Sequence, residues 1–310
     1  MIRNPNDRNS TDKKIRFLLA GYPGIGKSTL ALSAPKPLLV DVDHGIDRIE
    51  PIHRTPYIQP ESYTEVLDDL VHDNVRDFET IVFDTGGKLV SLIGFWAIKN
   101  NPKCGQSDGS LSLKGYGVVK REFARLMDYC YYELNKNVIV VFHATEEKDG
   151  EETRLRIKVE GGTRNDVWEP MDLGGFVEMR GNNRTIGFSN CERYFAKGTR
   201  GINGVWKIPT ISAGQSNNFL TLLFEEYNKK NRAEVDEAEA KKKEYDDVME
   251  KARKIIDSVT DADTAMIASE QMKRLEHVLT SGQESRQEFA DRIKELGLKY
   301  NSETKRYEAK

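Results

Sequence analysis

The chain has 310 residues, of which 38% are hydrophobic and 31% are charged, and its formal net charge is −3. This composition is typical of a soluble globular protein with one large core, alone or with a small appended module. No run of eighteen apolar residues occurs, and the polar first 14 residues lack the apolar centre of a secretory signal, so we expect a cytoplasmic protein without a membrane partner. The acidic balance argues against a broad basic surface for nucleic acid, but it is compatible with a local basic groove.

In chain order, the pattern predicts a flexible arm over residues 1–14, an α/β core over 15–228 and a charged helical extension over 229–310. Within the core, short apolar runs alternate with helical stretches, which is typical of a mainly parallel sheet with crossover helices. We predict buried strands over residues 15–20, 37–42, 80–84 and 138–142, antiparallel edge strands over 154–160 and 185–190, and a helix over 123–134.

In the extension, alternating acidic and basic residues over 234–254 predict a solvated helix. Residues 264–298 carry a clearer amphipathic pattern, from which we predict a small module of two or three helices that ends at Gly297. This pattern does not identify a ligand. A solubilising or oligomerising helix pair stays open beside a partner-binding module.

The strongest motif directly follows the first predicted strand. Residues 21–28 fit the pattern GxxxxGK[ST], and the segment after them can start a helix. In such loops glycines let several backbone N–H groups converge on a phosphate, the lysine reaches the β- and γ-phosphates, and the serine hydroxyl binds Mg²⁺. We therefore predict ATP and Mg²⁺ as cofactors. The residues predicted to surround the nucleotide are Gly21, Tyr22, Pro23, Gly24, Ile25, Gly26, Lys27, Ser28 and Thr29, with Ser28 also a metal ligand.

Three carboxylates lie at the ends of predicted strands, where a parallel sheet faces its ligands. Asp84 ends an apolar strand, and such an acid holds Mg²⁺ through water in phosphate-binding-loop proteins; capping the next turn is the alternative. Asp41 and Asp43 end the second strand, and strand alternation predicts that both point the same way. One of them could orient an attacking water, and the alternative is that both cap a loop.

The fourth predicted strand ends in a polar residue, His143, after five apolar ones. At this position a polar side chain can sense the γ-phosphate and couple it to a neighbouring loop. A histidine held by hydrogen bonds for structural reasons is an equally good interpretation.

Residues 15–210 resemble the RecA-like recombinase superfamily, and within it the phage-encoded short RecA-core ATPases associated with single-strand annealing and recombination. The resemblance rests on the phosphate-binding loop, the acidic segment 40–47, and the segments 114–117 and 141–147. It implies a RecA-like P-loop NTPase core with Mg²⁺-dependent ATPase activity and, for a phage-encoded chain, the host cytoplasm. It also implies that Lys27 acts on the phosphates, Asp43 activates water and His143 is the sensor. Asp43 is shorter than the family's usual glutamate, which implies slow turnover.

The same resemblance implies that loops after the third and fourth strands bind single-stranded DNA, with cations on the backbone and aromatic rings on the bases. The candidates, within 99–117 and 161–175, are Lys103, Lys114, Tyr116, Arg164 and Trp168. Ordinary surface loops, with Trp168 packed in the core, are the alternative. RecA-type filaments also insert basic residues into the neighbour's ATP site, so Lys197 and Arg200 are trans-acting candidates, with a surface turn as the alternative.

Two functional hypotheses follow. In the first, the protein is a single-stranded-DNA-dependent ATPase of phage recombination or annealing that forms a homo-oligomeric filament or ring. In the second, it is a nucleotide-gated adaptor whose extension recruits a replication or recombination protein. A small-molecule kinase is disfavoured because no arginine-rich lid segment is evident.

Overall fold

The computed structural model describes residues 13–149, 152–159, 163–211 and 215–309. Most of the predicted arm, residues 1–12, and the pair Gly161 and Gly162 of the second candidate DNA loop lie outside the described residues. By its contacts the described chain divides into two compact units, a larger one that ends at Lys230 and a smaller one that begins at Asn231.

The larger unit is built on one sheet. Its strands are β1 (Arg16–Gly21), β2 (Pro37–Asp41), β3 (Tyr57–Ile58), β4 (Thr80–Asp84), β5 (Asn137–Asp149), β6 (Glu152–Ile157), β7 (Leu173–Arg180), β8 (Asn183–Gly187) and β9 (Val205–Lys207). Their order is β3-β2-β4-β5-β1-β7-β8-β9, with β6 attached to β5. β1 is parallel to β5 and β7, whereas β6, β8 and β9 join antiparallel. The predicted fold class, an α/β fold with a mainly parallel sheet, is confirmed.

The register of the parallel strands brings their polar ends together. Asp41 lies opposite Asp84, and Gly21 lies opposite His143. Because β1 lies between β5 and β7, the segment that follows Gly21 emerges at the middle of the carboxyl edge of the sheet, where open α/β sheets bind ligands.

Helices cover the sheet of the larger unit. They are α1 (Lys27–Ala31), α2 (Tyr63–Asp69), α3 (His72–Val75), α4 (Gly86–Asn100), α5 (Leu113–Asp128), α6 (Thr163–Asp166) and the start of α7 (Phe219–Asp257). α5 begins well before residue 123, where the sequence pattern places it, because Ser112 caps it by accepting a hydrogen bond from the Gly115 N–H at 3.2 Å. The glycines in its first turns hide this start from the pattern. Among the described residues, no helix is long and apolar enough to cross a membrane.

Alternating side chains of the central strand enter two different apolar clusters. Leu18 and Ala20 belong to one, and Phe17 and Leu19 belong to the other, so β1 is buried on both faces. The residues Leu220, Leu223 and Phe224 of α7 complete the second cluster. This two-sided burial fixes the strand from which the phosphate-binding loop departs.

The smaller unit contains the rest of α7, α8 (Ala262–Met272), α9 (Ser281–Glu295) and a hairpin of β10 (Leu298–Asn301) and β11 (Arg306–Ala309). Its helices and hairpin enclose a small apolar cluster that includes Val259, Ala265 and Ile293. The predicted helical C-terminal region is confirmed, and the structure adds a hairpin that the sequence pattern does not indicate. Each hairpin strand has only four residues, so its alternation of apolar and polar side chains is too short to identify a strand in the sequence.

Candidate functional site

A sharp loop joins β1 to α1 at the carboxyl edge of the sheet. Gly24 and Gly26 adopt left-handed backbone conformations, with φ of 76° and 82°, which disfavour any residue that has a side chain. Gly21 is required for a different reason, since a Cβ there would lie 2.6 Å from the backbone oxygen of Val177 in β7. α1 then begins at Lys27, so the unpaired N–H groups of its first turn adjoin the loop. The backbone thus offers a tight glycine loop and unpaired N–H groups, which are the features that bind a phosphate.

Lys27 is a buried cation, with only 4% of its surface exposed. Its Nζ donates a hydrogen bond to the backbone oxygen of Tyr22 at 2.7 Å and lies 3.3 Å from Nδ1 of His143. Burial lowers the pKa of Lys27 to about 8, while the charge of Asp84 acts in the opposite direction. The lysine therefore stays mostly protonated at neutral pH and is held across the loop.

Asp84 is also buried, and the Ser28 hydroxyl lies beside its carboxylate. Burial raises the pKa of Asp84 to about 6; the hydrogen bond from Ser28 and the charge of Lys27 lower it, while Asp41 and Asp43 raise it further. A hydroxyl beside a desolvated carboxylate suits a hard cation with oxygen ligands such as Mg²⁺, which usually completes its shell with water and substrate phosphates. Ser28 and Asp84, the two predicted metal ligands, therefore lie together, and their oxygen atoms suit Mg²⁺.

Asp41 has a structural role. Its carboxylate accepts hydrogen bonds from the N–H groups of Gly45 and Ile46, at 2.7 and 3.0 Å, and from Nε2 of Gln59 at 2.9 Å. Only 2% of the residue is exposed. With its oxygens committed to the following turn, Asp41 matches the capping alternative rather than a water-activating base.

Asp43 lies beyond the end of β2, so strand alternation does not set its orientation, and its hydrogen-bond partner differs from those of Asp41. The chain turns after Asp41, and the side chain of Asp43 is partly exposed beside a cavity. There its carboxylate accepts a hydrogen bond from Arg48 Nη1 at 3.1 Å, and its backbone oxygen accepts one from Nη2 of the same guanidinium. Asp43 is thus the acid that could meet a water, once Arg48 releases it.

A cavity of about 600 Å³ adjoins this end of the sheet. Asp43 and His143 line it on the side of the phosphate-binding loop, and Tyr116 and Arg164 line it elsewhere. Burial and then the nearby Lys27 charge lower the pKa of His143, so its imidazole is neutral at physiological pH. A neutral ring can accept the hydrogen bond of Lys27 through Nδ1, which links the cavity to the loop.

Residues 13–200, more than half of the chain, match the family described as an AAA domain. The chain belongs to the AAA-domain family. No curated protein matches it. Among solved structures it is similar to a KaiC-like protein of the hyperthermophilic archaeon Pyrococcus horikoshii, with 12% identity over 63% of this chain and 89% of that protein and a TM-score of 0.35. Membership of the AAA-domain family supports an ATP-binding ATPase, generally dependent on Mg²⁺.

The five candidate DNA residues of this AAA domain lie in different surroundings. Tyr116 and Arg164 line the cavity, and two guanidinium nitrogens of Arg164 donate to the carboxylate of Glu147. Lys103 and Lys114 are exposed. Trp168 instead packs edge-on against Phe195, and its ring lies so close to Gly174 that a Cβ there would be 2.2 Å away. Packing therefore accounts for Trp168.

The two trans-acting candidates make contacts within the larger unit. Lys197 Nζ donates a hydrogen bond to the backbone oxygen of Met171. The guanidinium of Arg200 lies 6.0 Å from the ring centre of Tyr227, at the outer limit of a cation–π contact. A role in a neighbouring copy would require both side chains to leave these partners.

Sequence reasoning misses one cation beside the loop. A Cβ on Gly26 would lie 2.3 Å from Nη1 of Arg184, which belongs to β8. No motif marks Arg184, because it lies far from the loop in sequence. The signal that could have found it is alternation, since Arg184, Ile186 and Phe188 share one face and the latter two pack in the cluster that contains Leu30 of α1.

Proposed function

We propose that this AAA domain hydrolyses ATP at the phosphate-binding loop and that single-stranded DNA, bound in the adjoining cavity, stimulates the reaction, as strand annealing or recombination would require. The observation that carries the proposal is the shared cavity wall, because His143 touches Lys27 and also lines the space that Tyr116 and Arg164 border. A ligand that moves His143 would therefore change the partner of the lysine that binds phosphate.

The ATP half of the proposal uses side chains that are already close together. Lys27 would exchange the Tyr22 oxygen for phosphate oxygens, because a phosphate is the stronger acceptor for a buried ammonium. Ser28 and Asp84 would hold Mg²⁺, Asp84 through water, and the metal when bound neutralises charge on the β- and γ-phosphates. Asp43 would orient the attacking water after it separates from Arg48.

The DNA half follows from the lining of the cavity. Lys88 and Lys158 border it together with Arg164, and Tyr116 offers an aromatic face. Cations beside an aromatic ring are the groups with which proteins bind single strands, through backbone charge and base stacking. Glu147 neutralises Arg164 in the absence of DNA, so binding would exchange that carboxylate for a phosphate.

The ion pair between Asp43 and Arg48 favours a second function, the nucleotide-gated adaptor. While the pair persists, the acid is unavailable to activate water, so ATP would stay bound and hold the domain in one state. In this alternative residues 229–310 recruit a replication or recombination protein. Tight ATP binding with negligible turnover, and partner capture lost on removal of these residues, are its expected signs.

The test is steady-state ATP hydrolysis with and without single-stranded DNA. DNA should raise turnover of the wild-type protein, Lys27→Ala should lower it by about 100-fold or more, and Tyr116→Ala should reduce the stimulation. Leu113→Ala is the matched control, since Leu113 starts the same helix and is 92% exposed. Turnover that ignores DNA, in a protein that binds no DNA at low salt, would overturn the DNA proposal.

A further inference from the structure

Arg184 reaches the phosphate-binding loop across the sheet. It belongs to β8, two strands away from β1, and shares a face with Ile186, which packs in the same apolar cluster as Leu30 of α1. Because side chains two residues apart on a strand point the same way, Arg184 extends over the face that carries α1. Its guanidinium ends against Gly26, where a Cβ would lie 2.3 Å from Nη1.

The guanidinium has no compensating carboxylate within the described ranges 13–149, 152–159, 163–211 and 215–309. Arg184 is half-buried, and burial alone lowers its pKa. The neighbouring Arg180, by contrast, pairs with Glu178 at 2.7 Å. Keeping a partly desolvated cation without a partner anion costs free energy, so such a cation is expected where an anion binds.

The direction of approach identifies which part of a nucleotide Arg184 would meet. His143 and the lysine it touches lie towards β5, on one side of β1, whereas β8 reaches the loop from the β7 side. In the proposed function Asp43 orients the attacking water, and Asp43 follows β2, which lies on the β5 side of β1, so the γ-phosphate would lie on that side. A cation against Gly26 on the other side is therefore positioned for the α- and β-phosphates.

We infer that Arg184 is a nucleotide-binding residue that acts in its own chain and donates to oxygens of the α- and β-phosphates of ADP and ATP. The inference rests on the proposed function and deepens it. It differs from the trans-acting candidates Lys197 and Arg200, because Arg184 already contacts the loop of its own chain. A guanidinium that binds both nucleotides acts mainly on affinity, so its loss should raise KM more than it lowers kcat.

The test is calorimetric titration of ADP into the wild-type protein and into Arg184→Met, Arg184→Lys, Lys27→Ala and Lys207→Ala. Methionine keeps most of the apolar stem, so folding is retained while the charge is lost. Arg184→Met should weaken ADP binding about 10- to 100-fold, the usual worth of a charged hydrogen bond, and lysine should restore part of it. Lys207 lies exposed on the adjacent β9, and Lys207→Ala should bind ADP like the wild type.

Different results would overturn the role of Arg184 and the proposed function. Wild-type ADP affinity in Arg184→Met, with binding lost in Lys27→Ala, would overturn the role of Arg184 and leave the nucleotide site intact. A wild-type protein that binds neither ADP nor ATP would overturn the proposed function and the inference together. An ADP affinity that falls in Arg184→Met only at concentrations where copies associate would also overturn it, because the effect would then act between chains.

Discussion

At the carboxyl edge of the sheet, Lys27, Asp41 and Asp84 are all buried, whereas in the smaller unit Arg253 and Glu288 pair at the surface, 2.8 Å apart. The buried groups at the sheet edge have shifted pKa values in two cases, and burial is the largest cause in both. Exposed pairs of the second kind contribute little to stability because water screens them. Charge is thus desolvated at the carboxyl edge of the sheet and solvated in this ion pair of the smaller unit.

The buried carboxylates of Asp41 and Asp84 lie opposite each other on neighbouring strands, but their burial has different explanations. Asp41 receives three hydrogen bonds from its own chain, so its burial is explained by the fold. Asp84 is left with a raised pKa, which means that the fold destabilises its charged form. Such a group is expected where a ligand compensates the charge, and this distinction separates the site from the scaffold.

Asp41→Asn should show the largest loss of stability. The amide keeps one acceptor oxygen and places an NH₂ group against donors, so we expect a loss of about 2–3 kcal/mol in unfolding free energy, measured by denaturant titration. Asp43→Asn is the control at the same turn, and it should leave stability unchanged while lowering ATP turnover. Equal stability of the two variants would contradict the structural role of Asp41.

Asp84→Asn should stabilise the nucleotide-free protein. The folded pKa of about 6 exceeds the value of an unfolded aspartate, so this residue favours folding below about pH 4, and that contribution is lost as pH rises through 6. We therefore expect the variant to gain about 1–2 kcal/mol over the wild type at pH 8 and nothing near pH 4. Chemical denaturation at both pH values measures this.

The same variant should lose the Mg²⁺ dependence of ATP binding, which separates a functional cost from a structural one. In the wild-type protein, protonation of Asp84 below about pH 6 should weaken Mg²⁺-dependent binding. A variant that is less stable at pH 8 and still binds ATP in a Mg²⁺-dependent manner would show that the carboxylate belongs to the scaffold.

Arg253→Met in the smaller unit should have the smallest effect. Its guanidinium and the carboxylate of Glu288 are both exposed to solvent, so the melting temperature should equal that of the wild type. Differential scanning calorimetry at low and high salt checks this. A clear loss of stability at low salt would contradict the distinction between the two regions.

Local patterns predicted the scaffold of the site and its loop. The strand over 80–84 has the bounds of β4, and the glycines of the loop adopt the conformations that the motif requires, since both depend on neighbouring residues only. The local pattern did not separate the roles of Asp41 and Asp43, because they depend on where β2 ends and the turn begins; only the family resemblance assigned water activation to Asp43. Arg184 could not be found from a motif, because its position depends on strand pairing across the sheet.

The central claim is that the buried charges around Lys27 form a Mg²⁺–ATP site. Thermal unfolding at increasing Mg²⁺–ATP concentration tests it most directly, because a ligand that binds only the folded state stabilises by mass action, by about 2.7 kcal/mol at 100 times Kd. We predict a melting temperature that rises with ATP in the wild-type protein and in Lys36→Ala, an exposed lysine paired with Glu79, but not in Lys27→Ala. A wild-type protein that ATP does not stabilise, or a Lys27→Ala variant that it stabilises equally, would contradict the claim.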